Sequence, residues 1–108
     1  MNERALNMLG LCARARKLVT GEKAVVQEIR SGACPLAILD GGVAPNGEKA
    51  VSQACQTHGV PLLRTPPGEL GRAIGRPGRM AAAVTDAGMA ARILQLCQTT
   101  GGGEPPKR

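Results

Sequence analysis

The chain has 108 residues, a formal net charge of +6 and no Phe, Tyr or Trp. This length suffices for one domain with a true core, which Leu, Ile, Val, Ala, Met and Cys must fill. The lack of aromatic rings excludes base recognition by aromatic stacking, whereas the positive charge favours RNA, DNA or another anionic partner.

The predicted elements alternate between helices and strands from the start of the chain. A helix is predicted over residues 2–16, with Asn2 as its cap. A very short strand at Leu18–Thr20 follows, and Gly21 permits a sharp turn into a second helix that ends at Gly32. The apolar run at residues 35–40 is typical of a strand buried on both faces.

The second half of the chain continues this alternation. The predicted elements are a helix at residues 46–58 ended by Gly59, a strand at 60–63, a short helix capped by Thr65 and stopped by Gly75, a basic loop at 75–79, a strand at 80–84 and a last helix capped by Thr85 or Asp86. This pattern predicts an α/β domain over residues 1–98, with about four strands covered by helices on both faces. Residues 99–108, rich in Gly and Pro, are predicted to be a disordered tail.

The four cysteines are widely spaced, and no Cys-x-x-Cys motif occurs. Cys12, Cys55 and Cys97 fall on predicted apolar helix faces, so we interpret the thiols as buried and reduced, in a cytoplasmic protein. The first four residues are not followed by the apolar stretch of a signal peptide, and no apolar run approaches the roughly 18 residues of a membrane span. We therefore expect no membrane partner.

No motif for catalysis, metal binding or cofactor binding is recognisable. Cys55 and His58 lie three residues apart on one predicted helix, but no second pair completes a tetrahedral metal site. The glycines match neither a P-loop nor a dinucleotide-binding pattern. Because no nucleophile–base set can be assigned either, the sequence predicts a protein that is not an enzyme and needs no cofactor or metal.

Two segments, residues 14–23 and 64–79, concentrate the positive charge. The turn at Gly21 opens a helix whose first N–H groups and positive dipole end suit an anion. Charge spacing alone leaves open whether the two segments form one patch or two unrelated solvated faces. Their cations are Arg14, Arg16, Lys17 and Lys23 in the first segment, and Arg64, Arg72, Arg76 and Arg79 in the second.

The chain resembles the L7Ae/L30e ribosomal-protein superfamily, and within it the small bacterial YlxQ-type members most closely. The resemblance covers roughly residues 4–97 and rests on the segments LGLCARARKLVTGEKAV from Leu9, IRSG from Ile29, ELGRAIG from Glu69 and VTD from Val84. It implies a three-layer α-β-α sandwich around a mixed four-stranded sheet. It also implies binding to RNA kink-turns or related internal loops, in ribosomal or ribosome-associated settings.

The resemblance implies an RNA face formed by residues 21–27, 41–43 and 75–80, which would join the two basic segments. Gly21 and Glu22 would offer backbone N–H groups, and Lys23, Arg76 and Arg79 would contact phosphates. The full set of predicted RNA-binding residues is Gly21, Glu22, Lys23, Gln27, Arg14, Arg16, Lys17, Arg72, Arg76 and Arg79.

This sequence departs from the kink-turn pattern Gly-x-Asn-Glu-x-x-Lys at the second helix. The matching positions are Gly21, Lys23, Ala24 and Gln27, and the acidic position of the following loop is Gly42. The pair that reads base pairs is therefore missing, while phosphate contacts remain available.

We expect a monomeric, non-enzymatic RNA-binding protein of the translation apparatus, with rRNA, another structured RNA or the ribosome as its partner. One alternative is a protein-interaction module that has lost specific RNA recognition, as the missing pair would allow. Another is a small enzyme that binds a phosphate ester at the Gly21 turn.

Overall fold

A computed structural model describes residues 1–98, and the predicted tail at 99–108 lies outside this range. The elements within the described range are α1 (Glu3–Arg14), β1 (Leu18–Thr20), α2 (Glu22–Arg30), β2 (Leu36–Asp40), α3 (Pro45–His58), β3 (Leu62–Thr65), α4 (Glu69–Ile74), β4 (Ala81–Val84) and α5 (Ala87–Gln98). The predicted alternation of helices and strands is therefore confirmed.

The strands form one mixed four-stranded sheet in the order β1-β4-β2-β3. The central strand β4 runs antiparallel to both β1 and β2, and β2 and β3 are parallel. Every residue of β2 and β4 is buried, as predicted for a strand covered on both faces. Their register pairs Leu36 with Val84 and Leu39 with Ala81.

Helices cover both faces of the sheet, so the three-layer sandwich is confirmed. Leu36 and Ile38 face the layer of α1, α4 and α5, whereas Ala37 and Leu39 face the layer of α2 and α3, as the period of two in a strand requires. Full burial of one Leu or Ile side chain stabilises the folded state by about 1.5–3 kcal/mol relative to leaving it exposed. The largest helix residues in the two cores are Leu9, Leu70 and Ile93 on one face, and Val25, Ile29 and Val51 on the other.

Local capping fixes most helix ends where the sequence predicts them. Asn2 accepts a 2.8 Å hydrogen bond from the N–H of Ala5 and begins α1. Gly59, with φ +68°, ends α3 in the left-handed conformation. Asp86 caps α5 by accepting a 2.8 Å bond from the N–H of Met89.

Three predicted boundaries are wrong, for identifiable reasons. Helix α1 ends at Arg14 because Arg16 turns left-handed, with φ +60°. Strand β3 begins later than predicted, because the N–H of Val60 is donated to the carbonyl of Cys55 at the end of α3. Thr65 does not cap a helix: it ends β3, and α4 starts only after Gly68.

Among residues 1–98, no helix combines the length and the apolar character needed to cross a lipid bilayer.

Candidate nucleic-acid interface

The three segments that the family resemblance assigns to RNA meet at one end of the sheet. Strands β1 and β2 end there and β4 begins there, because β4 is antiparallel to both. The N–H of Gly21 donates to the carbonyl of Ala81 at 3.1 Å, and the N–H of Asp40 donates to that of Met80 at 2.9 Å. The segments that converge are residues 21–27, 41–43 and 75–80.

Helix α2 opens this end of the sheet with an uncapped first turn. Gly21 has φ +98°, which favours glycine, and no side chain caps the helix. The prediction that Gly21 offers its own N–H is wrong, because Ala81 accepts that group. The outward-facing donors are instead the N–H groups of Glu22, Lys23 and Ala24, at the positive end of the helix dipole.

The Arg79 side chain lies directly against this turn. A Cβ placed on Gly21 would be 3.2 Å from a terminal guanidinium nitrogen of Arg79. Lys23 is exposed on the first turn of α2. Two full positive charges, one from each basic segment, therefore flank the free N–H groups.

Arg76 extends the contact between the two basic segments along the edge strand β1. It lines a small surface pocket of about 170 Å³ together with Ala13, Leu18 and Thr20. The guanidinium of Arg14 folds back along α1, 3.9 Å from where a Cβ on Gly10 would lie.

Exposed cations thus lie near both ends of strand β1. We call the surface that carries them the basic edge. Lys17 lies about 13 Å from Gly21, at the far end of the strand, where its carbonyl accepts the N–H of Thr85. The basic edge consists of Arg14, Arg16, Lys17, Lys23, Arg76 and Arg79, all of them exposed.

Two further cations of the predicted segments are held by carboxylates. Arg72 donates to Glu69 one turn earlier and lies 3.7 Å from Glu3 of α1. Its hydrogen bond to Glu69 raises the pKa of the guanidinium. Arg64 forms an ion pair with Glu48 of α3. The structure therefore brings neither Arg72 nor Arg64 into the basic edge.

Glu22, the acidic residue at the start of α2, is directed at α3. Its carboxylate occupies the space where a Cβ on Gly47 would lie, in the first turn of α3. A negative charge is favourable at a helix N-terminus. The Cβ position on Gly47 also lies 3.1 Å from a methyl group of Val43, so the loop after β2 packs beside the start of α2.

Asp40 is the residue of this region that the sequence interpretation missed. It belongs to no site predicted from the sequence, yet it is only 1% exposed at the end of β2. Its carboxylate accepts N–H groups from Gly42 at 2.8 Å, Gly68 at 2.9 Å and Leu70 at 3.1 Å, and the Thr65 hydroxyl at 3.1 Å.

These hydrogen bonds determine the charge state and the role of Asp40. Burial acts to raise its pKa, but the bonds from Gly68, Gly42, Leu70 and Thr65 outweigh burial and lower the pKa below its ordinary value. The carboxylate caps α4 from a neighbouring strand and so positions the loop that carries Arg76 and Arg79. A terminal Asp on an apolar strand, followed by two glycines, was the available signal.

No group of three His, Cys, Asp or Glu side chains within the described residues is arranged to hold a metal ion.

Comparison with known proteins places this geometry in a family. The model of the ribosomal protein L7Ae/L30e/S12e/Gadd45 family matches residues 3–94. The chain belongs to this family. An RNA-binding protein YlxQ from Bacillus subtilis (strain 168) is 39% identical over 90 residues, which cover 82% of this chain and 90% of that protein. An RNA-binding protein YlxQ from Enterococcus faecium is 28% identical over 97 residues, which cover 89% of this chain and 93% of that protein.

Solved structures confirm the family fold. A protein of unknown function from Bacillus halodurans superposes with a TM-score of 0.82 at 34% identity, over 88% of this chain and 97% of its own. The Giardia lamblia 15.5kD RNA binding protein superposes with a TM-score of 0.71, over 89% of each chain. At 23% identity the Giardia structure supports the shared fold alone.

Proposed function

We propose that this L7Ae-family protein binds structured RNA through the basic edge and catalyses no reaction. The observation that carries the proposal is the Arg79 guanidinium lying against Gly21, beside the uncapped first turn of α2. The YlxQ relatives, which are named RNA-binding proteins, support the choice of RNA over other anions.

In the proposed complex, phosphate oxygens accept hydrogen bonds from the first turn of α2. The N–H groups of Glu22, Lys23 and Ala24 point outward, and Lys23 and Arg79 neutralise the phosphate charge. Gln27, one turn further along α2, adds an amide to this contact. Arg76, Arg14, Arg16 and Lys17 extend the contact along β1, and Arg72 lies outside its centre.

The proposed RNA is a kink-turn or a related internal loop, held mainly by its backbone. Lys23 and Ala24 stand where kink-turn binders carry Asn and Glu, so base-pair readout there is lost while phosphate contact is kept. The wide minor groove and the bent backbone of structured RNA offer shape without base readout. We further propose that the protein acts as a cytoplasmic monomer on rRNA or on the ribosome.

The test is a salt titration of binding to a kink-turn hairpin, measured by fluorescence anisotropy. If about five phosphates are neutralised, affinity should fall about ten- to twentyfold for each doubling of salt. Arg79→Ala should weaken binding about tenfold and lower the salt slope by about one. Arg72→Ala removes the same charge outside the basic edge and should change binding little.

Two results would contradict the proposal. Binding that does not respond to salt would exclude a phosphate-dominated interface. Equal losses in Arg79→Ala and Arg72→Ala would show that only total charge matters, not the arrangement around Gly21.

The missing base-reading pair favours one second candidate, a protein-interaction module of the translation apparatus. The two functions differ in what the protein captures from a lysate. RNA binding predicts that ribonuclease releases the captured ribosomal components, whereas direct protein contact predicts that they remain bound.

A further inference from the structure

A groove between α2 and α3 continues from the basic edge along the outer helical layer. One part, of about 410 Å³, is lined by Lys23, Gln27 and other residues of α2, together with Ala50. The other part, of about 590 Å³, reaches His58 at the end of α3. The two parts share Val26, Arg30 and Ala50, so they form one cleft of ligand size.

The walls of this α2–α3 groove carry amides and cations. Lys23, Gln27 and Arg30 are spaced four and three residues apart, so they follow one face of α2. The facing wall of α3 contributes Gln53, Gln56, Thr57 and His58. The apolar lining residues are Val26, Ala50 and Ala54, which offer apolar surface without a large anchor.

The charge of the groove points to an anionic occupant. Glu22 is the only carboxylate among the lining residues, and its carboxylate lies against Gly47 in the first turn of α3. Lys23 lies at one end and Arg30 about 10 Å further along α2. Amide groups between them can donate to or accept from nucleobase edges, and the hydroxyl of Thr57 can bond a ribose.

Continuity favours RNA over an acidic protein as the occupant. Lys23 belongs both to the basic edge and to the groove, so the two surfaces adjoin at this residue. A protein helix would need large apolar or aromatic anchors in a deep pocket, whereas the apolar lining of this groove consists of Val26, Ala50 and Ala54.

We propose that the α2–α3 groove binds a short single-stranded extension of the RNA held at the basic edge. The distance from Lys23 to Arg30 matches about three nucleotides of a stacked strand. Arg30 contacts a phosphate of this extension, and Gln53 contacts a base. This inference rests on the proposed function, and it adds a second subsite to it.

The test compares three RNA probes on the full chain. One probe is the kink-turn hairpin, and the others carry four added uridines at either the 5′ or the 3′ end. In the unmodified protein, one of the two extensions should tighten binding about tenfold. Arg30→Ala should abolish this gain and leave affinity for the unextended hairpin within about twofold.

Matched variants distinguish binding of the extension in the groove from a general effect of the protein's net charge. Arg92→Ala removes the same charge from α5, on the opposite face of the sheet, and should keep the gain. Gln53→Glu introduces a negative charge into the groove wall and should also abolish it. Arg79→Ala should weaken all probes by the same factor and preserve the gain.

Each remaining outcome would contradict the proposal that the groove binds the RNA extension. Tight binding of the hairpin with no gain from either extension overturns this inference and leaves the proposed function standing. A gain that survives in Arg30→Ala, or is lost equally in Arg92→Ala, also overturns it. Failure to bind any probe overturns both proposals. An acidic helical peptide that binds in the groove, while the extensions do not, would identify a protein as the occupant.

Discussion

At the scale of single residues, Arg16 holds a backbone conformation that arginine rarely adopts. Its φ is +60°, at the position after α1 where glycine is usual. The N–H of Lys17 donates to the Cys12 carbonyl at 2.9 Å, and that of Arg16 to the Ala13 carbonyl at 3.2 Å. The hydrogen bonds that end α1 are thus formed even though the left-handed conformation is unfavourable for arginine. This arrangement places the positive charge of Arg16 on the basic edge.

Arg16→Gly should therefore stabilise the fold and weaken RNA binding. Relief of the left-handed strain should raise the free energy of unfolding by about 0.5–1 kcal/mol, which urea unfolding will measure. Arg16→Asn is the control, because asparagine tolerates this conformation without the flexibility of glycine. A Gly variant less stable than the parent would show that the Arg16 side chain contributes more to stability than its backbone costs.

At the scale of elements, Asp40 ties β2 to the start of α4 and to the loop after β2. Its carboxylate is the common acceptor for donors from three separate segments. No local motif around Glu69 contains this cap. The position of the loop with Arg76 and Arg79 therefore depends on a residue more than thirty positions earlier in the chain.

Asp40→Asn should destabilise the fold by about 3 kcal/mol at pH 7, because an amide cannot accept all four bonds. The folded-state pKa of Asp40 is lowered, so its contribution is complete above the unfolded value of about 3.9 and is lost as pH falls through the folded value. Urea unfolding from pH 7 to pH 3 should show a larger decline in the parent than in the variant. Parallel declines would contradict this role.

Local sequence signals predicted the elements whose ends depend on their own residues. Asn2 and Gly59 act within their own helices, so capping rules placed the start of α1 and the end of α3. The start of α4 depends on Asp40, and the register of β3 depends on pairing of Leu62 with Ala37. Such non-local contacts leave no periodic trace in the sequence.

At the scale of the whole molecule, the candidate site also depends on non-local contacts that the sequence pattern does not predict. Charge spacing could not decide whether the two basic segments meet, and the family resemblance predicted that they do. The structure brings Arg79 to Gly21 and Arg76 to β1, but pairs Arg72 with acids on α4 and α1. Tertiary packing decides which basic side chains pair with acids elsewhere in the fold. The spacing of charges along the sequence does not encode this packing.

The two cores on either side of the sheet both contain free thiols. Cys12 lies in one core, and Cys34 and Cys55 lie in the other. Burial raises the pKa of Cys55 to about 11, and it also raises the pKa values of Cys12 and Cys34. Because the thiolate is the reactive form, these side chains should be inert in the folded protein.

Thiol labelling at neutral pH should therefore modify the half-buried Cys97 first. Cys12, Cys34 and Cys55 should react together, at a rate that follows global unfolding, and all four should react at once in concentrated guanidinium chloride. Mass spectrometry of digested samples will resolve the sites. Rapid native labelling of Cys34 alone would reveal local opening of the segment before β2.

The side-chain amide of Asn2 donates to the Leu96 carbonyl at 2.9 Å, which brings the two ends of the described chain together. A short linker can join neighbouring ends, and proteins with this arrangement often tolerate circular permutation. New ends opened at the exposed Gly59 turn would lie beside β3, at the sheet edge farthest from β1. The order in which the elements are synthesised can thus be changed without cutting the basic edge.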